Sequence, residues 1–391
     1  MPDRAPDHVP DPVHDIAAFA ALPADARIYL RPTGFTETPF DDPAGCRRLA
    51  GGLTWFGLVQ VIARVGVRRV ASVVMPVADV EALIARLPEA AQARAVAQWQ
   101  ALCGVRAPLA LRGGARMLRF DRPHVMGILN LTPDSFSDGG RNAEPVAAAG
   151  AAFNMAADGA ALVDVGAEST RPGAKPVWEG DEIERLRPVV ARFQDSELLW
   201  SIDTRKAAVM RFALAAGAAI VNDVSALTYD EQALGVVAAS ECPVVLMHHQ
   251  GDPQSMQDRP QYDDALLDVY DWLAARIAAC EAAGIARTRL IVDPGIGFGK
   301  SVRHNMELLN GLGLFHALGC PILLGVSRKR FVGALSRGED ASERLPGTLV
   351  ALARGLDQGA QLLRVHDVPE AVQALKVWQG MRDAALSLAI G

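Results

Sequence analysis

Polar and charged residues close a series of short apolar runs in the C-terminal two-thirds of this chain. These residues are amides, acids and bases, namely Asn130, Asp203, Asn222, Asp293, Lys329, Arg364 and His366. Any one of them alone is equally well explained as part of a helix cap or a turn, because caps and turns favour the same residue types. Together, at the ends of buried strands, they require either a polar ligand or one another as hydrogen-bond partners.

These residue types suit a flat heterocycle that carries an anion. Asp and Asn side chains can pair with the N–H donors and ring acceptors of an aminopyrimidinone edge. Arg364 and His366 lie two residues apart, so they share one face of a strand and, with Asn130, suit a phosphate or diphosphate. Lys329 adds a compact positive charge. Alternatively, Arg364 pairs with a buried acid such as Asp367 and only supports the fold.

A divalent metal is also expected at these strand ends. Acidic residues within 134–138 and Asp252 follow two of the apolar runs. Their spacing is not that of a zinc site, and oxygen ligands of this kind suit magnesium bound together with an anion. We therefore predict Mg²⁺.

The elements that must position these residues repeat regularly from about residue 120. Runs rich in Val, Ile and Leu alternate with helix-length segments, which indicates parallel strands covered by helices. Eight such units over roughly 270 residues predict an α/β fold of the (β/α)8 TIM barrel type, whose chemistry lies at the C-terminal strand ends. An open doubly wound sheet is the alternative, but it normally has fewer units. The predicted strands are residues 125–130, 161–166, 198–203, 218–223, 243–248, 289–294, 321–326 and 361–366.

The N-terminal part of the chain lacks this regular alternation of apolar runs and helix-length segments. We predict a disordered tail over 1–25, where Pro and Asp alternate, and a small α/β appendage of unknown role over 26–115. The appendage includes strand candidates at 27–32 and 70–76 and a helix near 78–103, and a linker or edge hairpin follows at 111–123. The barrel is predicted over 120–391.

Composition excludes several classes of partner. The net charge of −6 provides no general basic field, so nucleic acid is not expected. The five cysteines are scattered without a CxxC pair, which favours reduced thiols in a cytoplasmic protein over a disulfide frame. The longest uncharged stretch, roughly 308–327, contains four Gly and a Pro, so we read it as a helix end and a buried strand rather than a membrane span.

Eight ordered motifs carry a resemblance to a known family. They are MGILNLTPDSFSDGG, DVGAESTRPGA, SIDT, VNDVSAL, MHHQGDPQSMQ, DPGIGFGK, GVSRKRFVG and RVHDV. In this order, over about 120–387, they resemble the dihydropteroate synthases of folate biosynthesis, which are pterin-binding TIM barrels. The resemblance implies a homodimeric transferase that condenses 6-hydroxymethyl-7,8-dihydropterin diphosphate with p-aminobenzoate and releases diphosphate. It also implies that sulfonamide drugs compete for the aminobenzoate site.

The resemblance also assigns residues by their position in the motifs. The pterin would be held by Asp203, Asn222, Asp293 and Lys329, with Met247 packing nearby. The diphosphate and its magnesium would be held by Asn130, Arg364 and His366, with Asn130 as the metal ligand. The aminobenzoate site would be closed by Phe136, Thr170, Arg171 and Pro172. The residues expected to carry catalysis are Asp203, Lys329, Arg364 and His366.

Two positions depart from the family pattern. His249 stands where the family commonly has Met, and Arg330 stands where a Ser often contacts the aminobenzoate carboxylate. Arg330 is expected to make that contact through its backbone N–H or its guanidinium. Both departures bear on drug sensitivity rather than on the reaction.

The mechanism and its rivals follow from the same residues. An arylamine is already nucleophilic and no general base is evident, so we expect a dissociative substitution driven by electrostatic stabilisation and positioning. One rival is a methyltransferase that passes a methyl group from methyltetrahydrofolate to a corrinoid protein. Such an enzyme would not need the anion-binding pair Arg364 and His366. The other rival is a non-catalytic pterin-binding paralogue.

Overall fold

The computed structural model describes residues 16–39, 44–131, 143–169, 176–251 and 260–387. Its N-terminal part begins with a short helix, α1 (Ala17–Ala20), whose Phe19 is fully buried. Ordered structure therefore begins before residue 25, where the predicted tail ends, because Phe19 gains stability by packing in the core. Residues 1–15 of that predicted tail lie outside the described ranges.

The appendage contains an antiparallel sheet and two helices. β3 pairs with β1 on one side and with β4 and β2 on the other. The apolar segment over 52–67 contains β3, and the predicted helix near 78–103 is divided at Pro88. The elements are β1 (Arg27–Thr36), β2 (Arg47–Arg48), β3 (Trp55–Val65), β4 (Arg68–Pro76), α2 (Val80–Ile84) and α3 (Glu89–Cys103).

A short hairpin closes the N-terminal end of the barrel. It is formed by β5 (Leu109–Leu111) and β6 (Arg116–Leu118). Leu109, Leu111 and Leu118 are buried in one cluster with residues from the beginnings of the barrel strands, such as Leu162 and Ile220. The hairpin predicted around 111–123 therefore fills the floor of the barrel rather than extending a sheet edge.

Eight parallel strands within the described residues form the barrel. They are hydrogen-bonded in the order β12-β11-β10-β9-β8-β7-β14-β13, and a bridge between Val292 and Ile322 joins the two ends of this row. The predicted TIM barrel is thus confirmed. The strands are β7 (His124–Asn130), β8 (Leu162–Gly166), β9 (Trp200–Asp203), β10 (Ile220–Asp223), β11 (Val244–Met247), β12 (Leu290–Asp293), β13 (Leu323–Gly325) and β14 (Leu362–Val365).

Helices cover the outside of the barrel. Because strand faces are buried on both sides, the strand sequences are mostly apolar instead of alternating. The helices are α4 (Ala143–Ala157), α5 (Glu179–Val190), α6 (Ala207–Ala215), α7 (Ala233–Ala239), α8 (Ala265–Ala282), α9 (Val302–Asn310), α10 (Arg330–Leu335), α11 (Leu345–Asp357) and α12 (Val368–Ser387).

The segment between β12 and β13 forms two helices in succession. α9 ends at Asn310, and a 3-10 helix (Leu312–Leu318) follows Gly311. A Cβ at Gly311 would lie 2.5 Å from Leu266 Cδ2 of α8, and a Cβ at Gly313 would lie 3.0 Å from Phe35 Cζ of β1. The chain turns here because it packs closely between α8 and the appendage. Among the described residues, no helix is long and apolar enough to cross a membrane.

Shortening a hairpin side chain should destabilise the whole barrel. Leu111 is fully buried, so Leu111→Ala removes packed methyl groups and leaves a cavity at the floor. We expect a loss of about 2–5 kcal/mol in the free energy of unfolding, measured by urea denaturation. Met117→Ala in the same hairpin is the control, because Met117 is exposed. Equal small effects from both changes would contradict the role of the hairpin as a floor.

Candidate active site

The strand register gathers the predicted site residues at one end of the barrel. Asp203 at the end of β9 lies opposite Gly166 of β8 and Asn222 of β10, and Met247 lies opposite Asp293. This end is formed by the C-terminal ends of the parallel strands, where (β/α)8 enzymes carry their active sites. The predicted residues placed here are Asn130, Asp203, Asn222, Met247, Asp293, Lys329, Arg330, Arg364 and His366. Phe136, Thr170, Arg171 and Pro172 lie outside the described residues.

Asp164 is the centre of the hydrogen-bond network at this end. Its fully buried carboxylate, in the middle of β8, accepts hydrogen bonds from three other strands. The donors are Ser201 Oγ at 2.5 Å, Asn222 Nδ2 at 2.8 Å and Arg364 Nε at 2.6 Å. Asp164 is not among the site residues predicted from the sequence. The available signal was an acid inside an otherwise apolar run, where a buried charge needs partners.

Arg364 lies between two carboxylates. Its Nη2 donates to Asp203 Oδ2 at 2.6 Å, in addition to the bond from Nε to Asp164. Burial lowers the pKa of Arg364, but the two nearby carboxylates outweigh this effect. The pKa is therefore raised above its usual value. Neither acid is Asp367, the partner that the sequence analysis considered. Within the described residues Nη1 makes no hydrogen bond, so the guanidinium keeps donors for a ligand.

Asp203 offers an acceptor with no partner. Its Oδ1 is buried and has no hydrogen bond within the described residues, whereas Oδ2 takes the bond from Arg364. Burial raises the pKa of Asp203, and the nearby guanidinium opposes that rise. A buried acceptor without a donor is costly, so a ligand N–H at Oδ1 would be stabilising.

Asp293 and Lys329 lie near each other at this end of the barrel, and the charge of each acts on the pKa of the other. Asp293 Oδ1 accepts the backbone N–H of Gly295 at 2.7 Å, and Lys329 Nζ donates to Ile296 O. Burial raises the pKa of Asp293, an effect that Lys329 opposes, and burial lowers the pKa of Lys329 to about 8. A Cβ at Gly325 would lie 3.8 Å from both Asp293 Oδ2 and Lys329 Nζ, so this glycine leaves room beside the pair.

The loop after β13 is tied to the loop after β14. Ser327 Oγ accepts the backbone N–H of His366 at 3.1 Å and lies 3.0 Å from His366 Nδ1. Arg328 adopts a left-handed conformation with φ of 58°, and its guanidinium pairs with Asp367. These contacts set the directions of His366 and of the neighbouring Lys329. Arg330 begins α10 with an exposed side chain.

A buried charge cluster supports the ends of β8 and β9. Glu168 pairs with Arg205 at 3.2 Å and with Lys206 at 3.1 Å, and Lys206 also pairs with Glu182 at 2.8 Å. Glu168 accepts the backbone N–H of Val177 at 2.9 Å as well. It therefore ties the end of β8 to the segment that leads into α5.

The predicted metal ligand is half-buried at the end of β7. Asn130 offers one amide oxygen there. The described residues contain no group of three or more His, Cys, Asp or Glu side chains that could hold a metal ion. Asp134, Asp138 and Asp252 lie outside the described ranges, so magnesium stays a prediction.

Comparisons with known proteins agree with this geometry. Residues 126–366 match the family model described as pterin binding enzyme. The dihydropteroate synthase of Escherichia coli K12 is 46% identical over 261 residues, which cover 66% of this chain and 92% of that protein. The Xanthomonas albilineans dihydropteroate synthase structure with 4-aminobenzoic acid has a TM-score of 0.67 and 46% identity, over 71% of this chain and 99% of that one. The structure of the Xanthomonas albilineans dihydropteroate synthase in complex with 7,8-dihydropteroate has a TM-score of 0.62 and 41% identity. It covers 70% of this chain and 98% of that one.

A (β/α)8 barrel with buried acids and bases at its C-terminal end, matched by this family model, is a pterin-binding enzyme. More narrowly, the chain belongs to the dihydropteroate synthase family. It is therefore a transferase, and the resemblance found in the eight motifs is confirmed.

Replacing Asp164 should disturb Asn222 and Arg364 together. Asp164→Asn keeps the shape but removes the negative charge, so the partly buried guanidinium of Arg364 loses one of its two carboxylate partners. Breaking a buried pair costs about 3–5 kcal/mol, so we expect a clearly lower melting temperature and weaker pterin binding by calorimetry. Asp383→Asn, at an exposed position on α12, is the control. Unchanged pterin affinity in a folded Asp164→Asn protein would contradict this positioning role.

Proposed function

We propose that this chain condenses 6-hydroxymethyl-7,8-dihydropterin diphosphate with p-aminobenzoate to form 7,8-dihydropteroate and diphosphate. The observation that carries the proposal is the pair of buried carboxylates, Asp203 and Asp293, each beside a cation at the C-terminal end of the barrel. Asp203 Oδ1 still needs a donor, which the N–H groups of a pterin ring supply. Asn222 is oriented by Asp164 and can read the same edge, and Met247 is buried next to it.

The anionic end of the substrate fits the basic residues of the last two strands. Arg364 has Nη1 available, His366 is oriented by Ser327, and Lys329 carries a charge on the neighbouring loop. Cations held in a site of low polarity stabilise a departing diphosphate more than they would in water. We propose that Arg364, His366 and Lys329 bind the diphosphate leaving group. Lys329 also binds the pterin, together with Asp293.

The reaction is a dissociative substitution. The bond between the methylene carbon and the diphosphate oxygen breaks first, and both bonding electrons leave with the diphosphate. The carboxylates of Asp203 and Asp293 stabilise the resulting pterin-methylene cation. The aminobenzoate nitrogen then forms the C–N bond and loses its proton to solvent, so no enzyme base and no covalent intermediate are needed.

Magnesium enters this proposal with the substrate. It neutralises diphosphate charge when bound, and Asn130 contributes one oxygen toward it.

Phe136, Thr170, Arg171 and Pro172 close the aminobenzoate site, with Arg330 near the carboxylate, and sulfonamides compete there. We further propose a homodimer in the cytoplasm.

The direct test is an assay with pterin diphosphate, p-aminobenzoate and magnesium. We expect 7,8-dihydropteroate to form only when both organic substrates are present, detected by mass spectrometry. Asp203→Ala and Asp293→Ala should weaken pterin binding, since a hydrogen bond to a charged group is worth about 1.5–3 kcal/mol. Tight binding of methyltetrahydrofolate without dihydropteroate formation would instead favour the corrinoid methyltransferase, and pterin binding without either reaction would favour a non-catalytic protein.

The pH profile should report on Lys329. Burial lowers its pKa to about 8, so its ammonium loses a proton as the pH rises through that value. Because the protonated form attracts the anionic substrate, kcat/KM should fall above about pH 8. Lys329→Met should lower kcat/KM and remove that fall, whereas Lys376→Met on the exposed face of α12 should leave the profile unchanged. An alkaline fall that persists at the same pH in Lys329→Met would assign it to another group.

A further inference from the structure

The appendage presents a row of three arginines to the barrel. Arg27 of β1 lies directly opposite Arg64 of β3, and Arg64 lies directly opposite Arg69 of β4. Like charges opposite each other on neighbouring strands repel and destabilise a sheet. Such a row therefore requires an anionic partner surface to be stable.

Helix α8 supplies that surface. Asp264, Asp268 and Asp271 follow the spacing of one helix face. Arg64 Nη2 lies 2.5 Å from Asp268 and its Nη1 lies 3.5 Å from Asp271, while its side chain is only 3% exposed. Arg27 pairs with Asp271 at 2.6 Å, and Arg69 Nη2 donates to Asp264 Oδ1 at 3.1 Å. The three charges of the row are thus matched by three carboxylates.

The same helix touches the loop after β11. Trp272, next to Asp271, packs edge to face on His248, with ring centroids 5.0 Å apart. The segment that leads into α8 is also tied to this loop, because the Gln250 side chain exchanges hydrogen bonds with the backbone of Gln261. Tyr262 Oη reaches across to Gly299 O, at 2.8 Å, in the loop after β12.

The loops after β11 and β12 are in turn joined by Lys300. Its buried Nζ lies 2.9 Å from His248 Nδ1 and donates to His248 O at 3.3 Å and Phe298 O at 3.0 Å. A Cβ at Gly295 would lie 1.8 Å from His248 O, so the two backbones are in direct contact. These loops leave directly from Met247 and Asp293.

We infer that the appendage is a brace that positions the pterin-binding edge of the barrel through α8. It holds α8 by the arginine row, α8 holds the loop after β11, and Lys300 joins that loop to the one after β12. Among the residues that the structure describes, the appendage makes no hydrogen bond or ion pair with an assigned substrate-binding residue. The assignment of that edge to pterin rests on the proposed function, whereas the mechanical coupling does not.

The test uses the full chain with Arg64→Met, which removes the centre of the row. Hydrogen exchange of residues 247–251 and 295–300, measured without ligand, should become faster. Affinity for 6-hydroxymethylpterin by calorimetry should fall by about 3- to 30-fold, the usual range for coupled sites. The KM for p-aminobenzoate should change by less than about twofold, because the coupling acts on the pterin edge.

A matched control separates bracing from general stability. Arg382→Met also removes a buried, ion-paired arginine, which pairs with Asp357 of α11 at 2.7 Å and with Glu37 of the appendage at 3.4 Å. Within the described residues its ion pairs do not involve α8, so it is a control for an appendage contact that bypasses that helix. It should lower the melting temperature without changing exchange in the two loops or pterin affinity. Arg27→Gln, at a half-exposed end of the row, is the milder variant for use if Arg64→Met does not fold.

The outcomes are distinct. If Arg64→Met and Arg27→Gln change the melting temperature but leave loop exchange and pterin affinity like those of Arg382→Met, the brace is overturned and the appendage only stabilises. If the unaltered chain binds no pterin, the proposed function fails, while the exchange comparison still decides the coupling.

Discussion

The ion pairs of Arg364 with Asp164 and Asp203 are the interaction on which the site depends. Two carboxylates and one guanidinium are removed from water at the end of the barrel, and each would be costly without the others. Because the cluster joins β8, β9 and β14, its charge balance also sets the geometry of those strand ends. One acceptor, Asp203 Oδ1, is left without a hydrogen bond within the described residues, and under the proposed function it receives an N–H of the pterin.

The two ends of the barrel follow opposite physical rules. At the N-terminal end, the hairpin side chains and the first residues of the strands form an apolar floor that excludes water. At the C-terminal end, buried acids and bases form paired clusters, such as Glu168 with Arg205 and Lys206. Stability is therefore concentrated at the floor, and the polar end can carry strained or charged groups such as the left-handed Arg328.

The appendage is attached to the outside of the barrel by two kinds of contact, apolar packing and ion pairs. Its apolar residues, including Leu30 and Phe56, belong to the hydrophobic core that also contains the outer barrel helices. Its arginine row makes that contact specific, because the acidic face of α8 supplies a carboxylate for each arginine. An appendage attached by both kinds of contact is held against α8, and the inferred effect on the loops after β11 and β12 depends on that attachment.

The sequence by itself determined the barrel, the order of its strands and the polar residues at their ends, since these follow from local apolar runs and ordered motifs. The seven observed strands β8–β14 lie inside the predicted runs, and β7 begins one residue earlier. Only the tertiary structure decided the partners: Arg364 with Asp164 and Asp203, Arg328 with Asp367, and Lys300 with His248. The sequence indicated a helix end within 308–327, whereas its position at Gly311 depends on contacts with α8 and the appendage. Partners that are dozens to hundreds of residues apart are chosen by strand register and side-chain direction, which no local pattern contains.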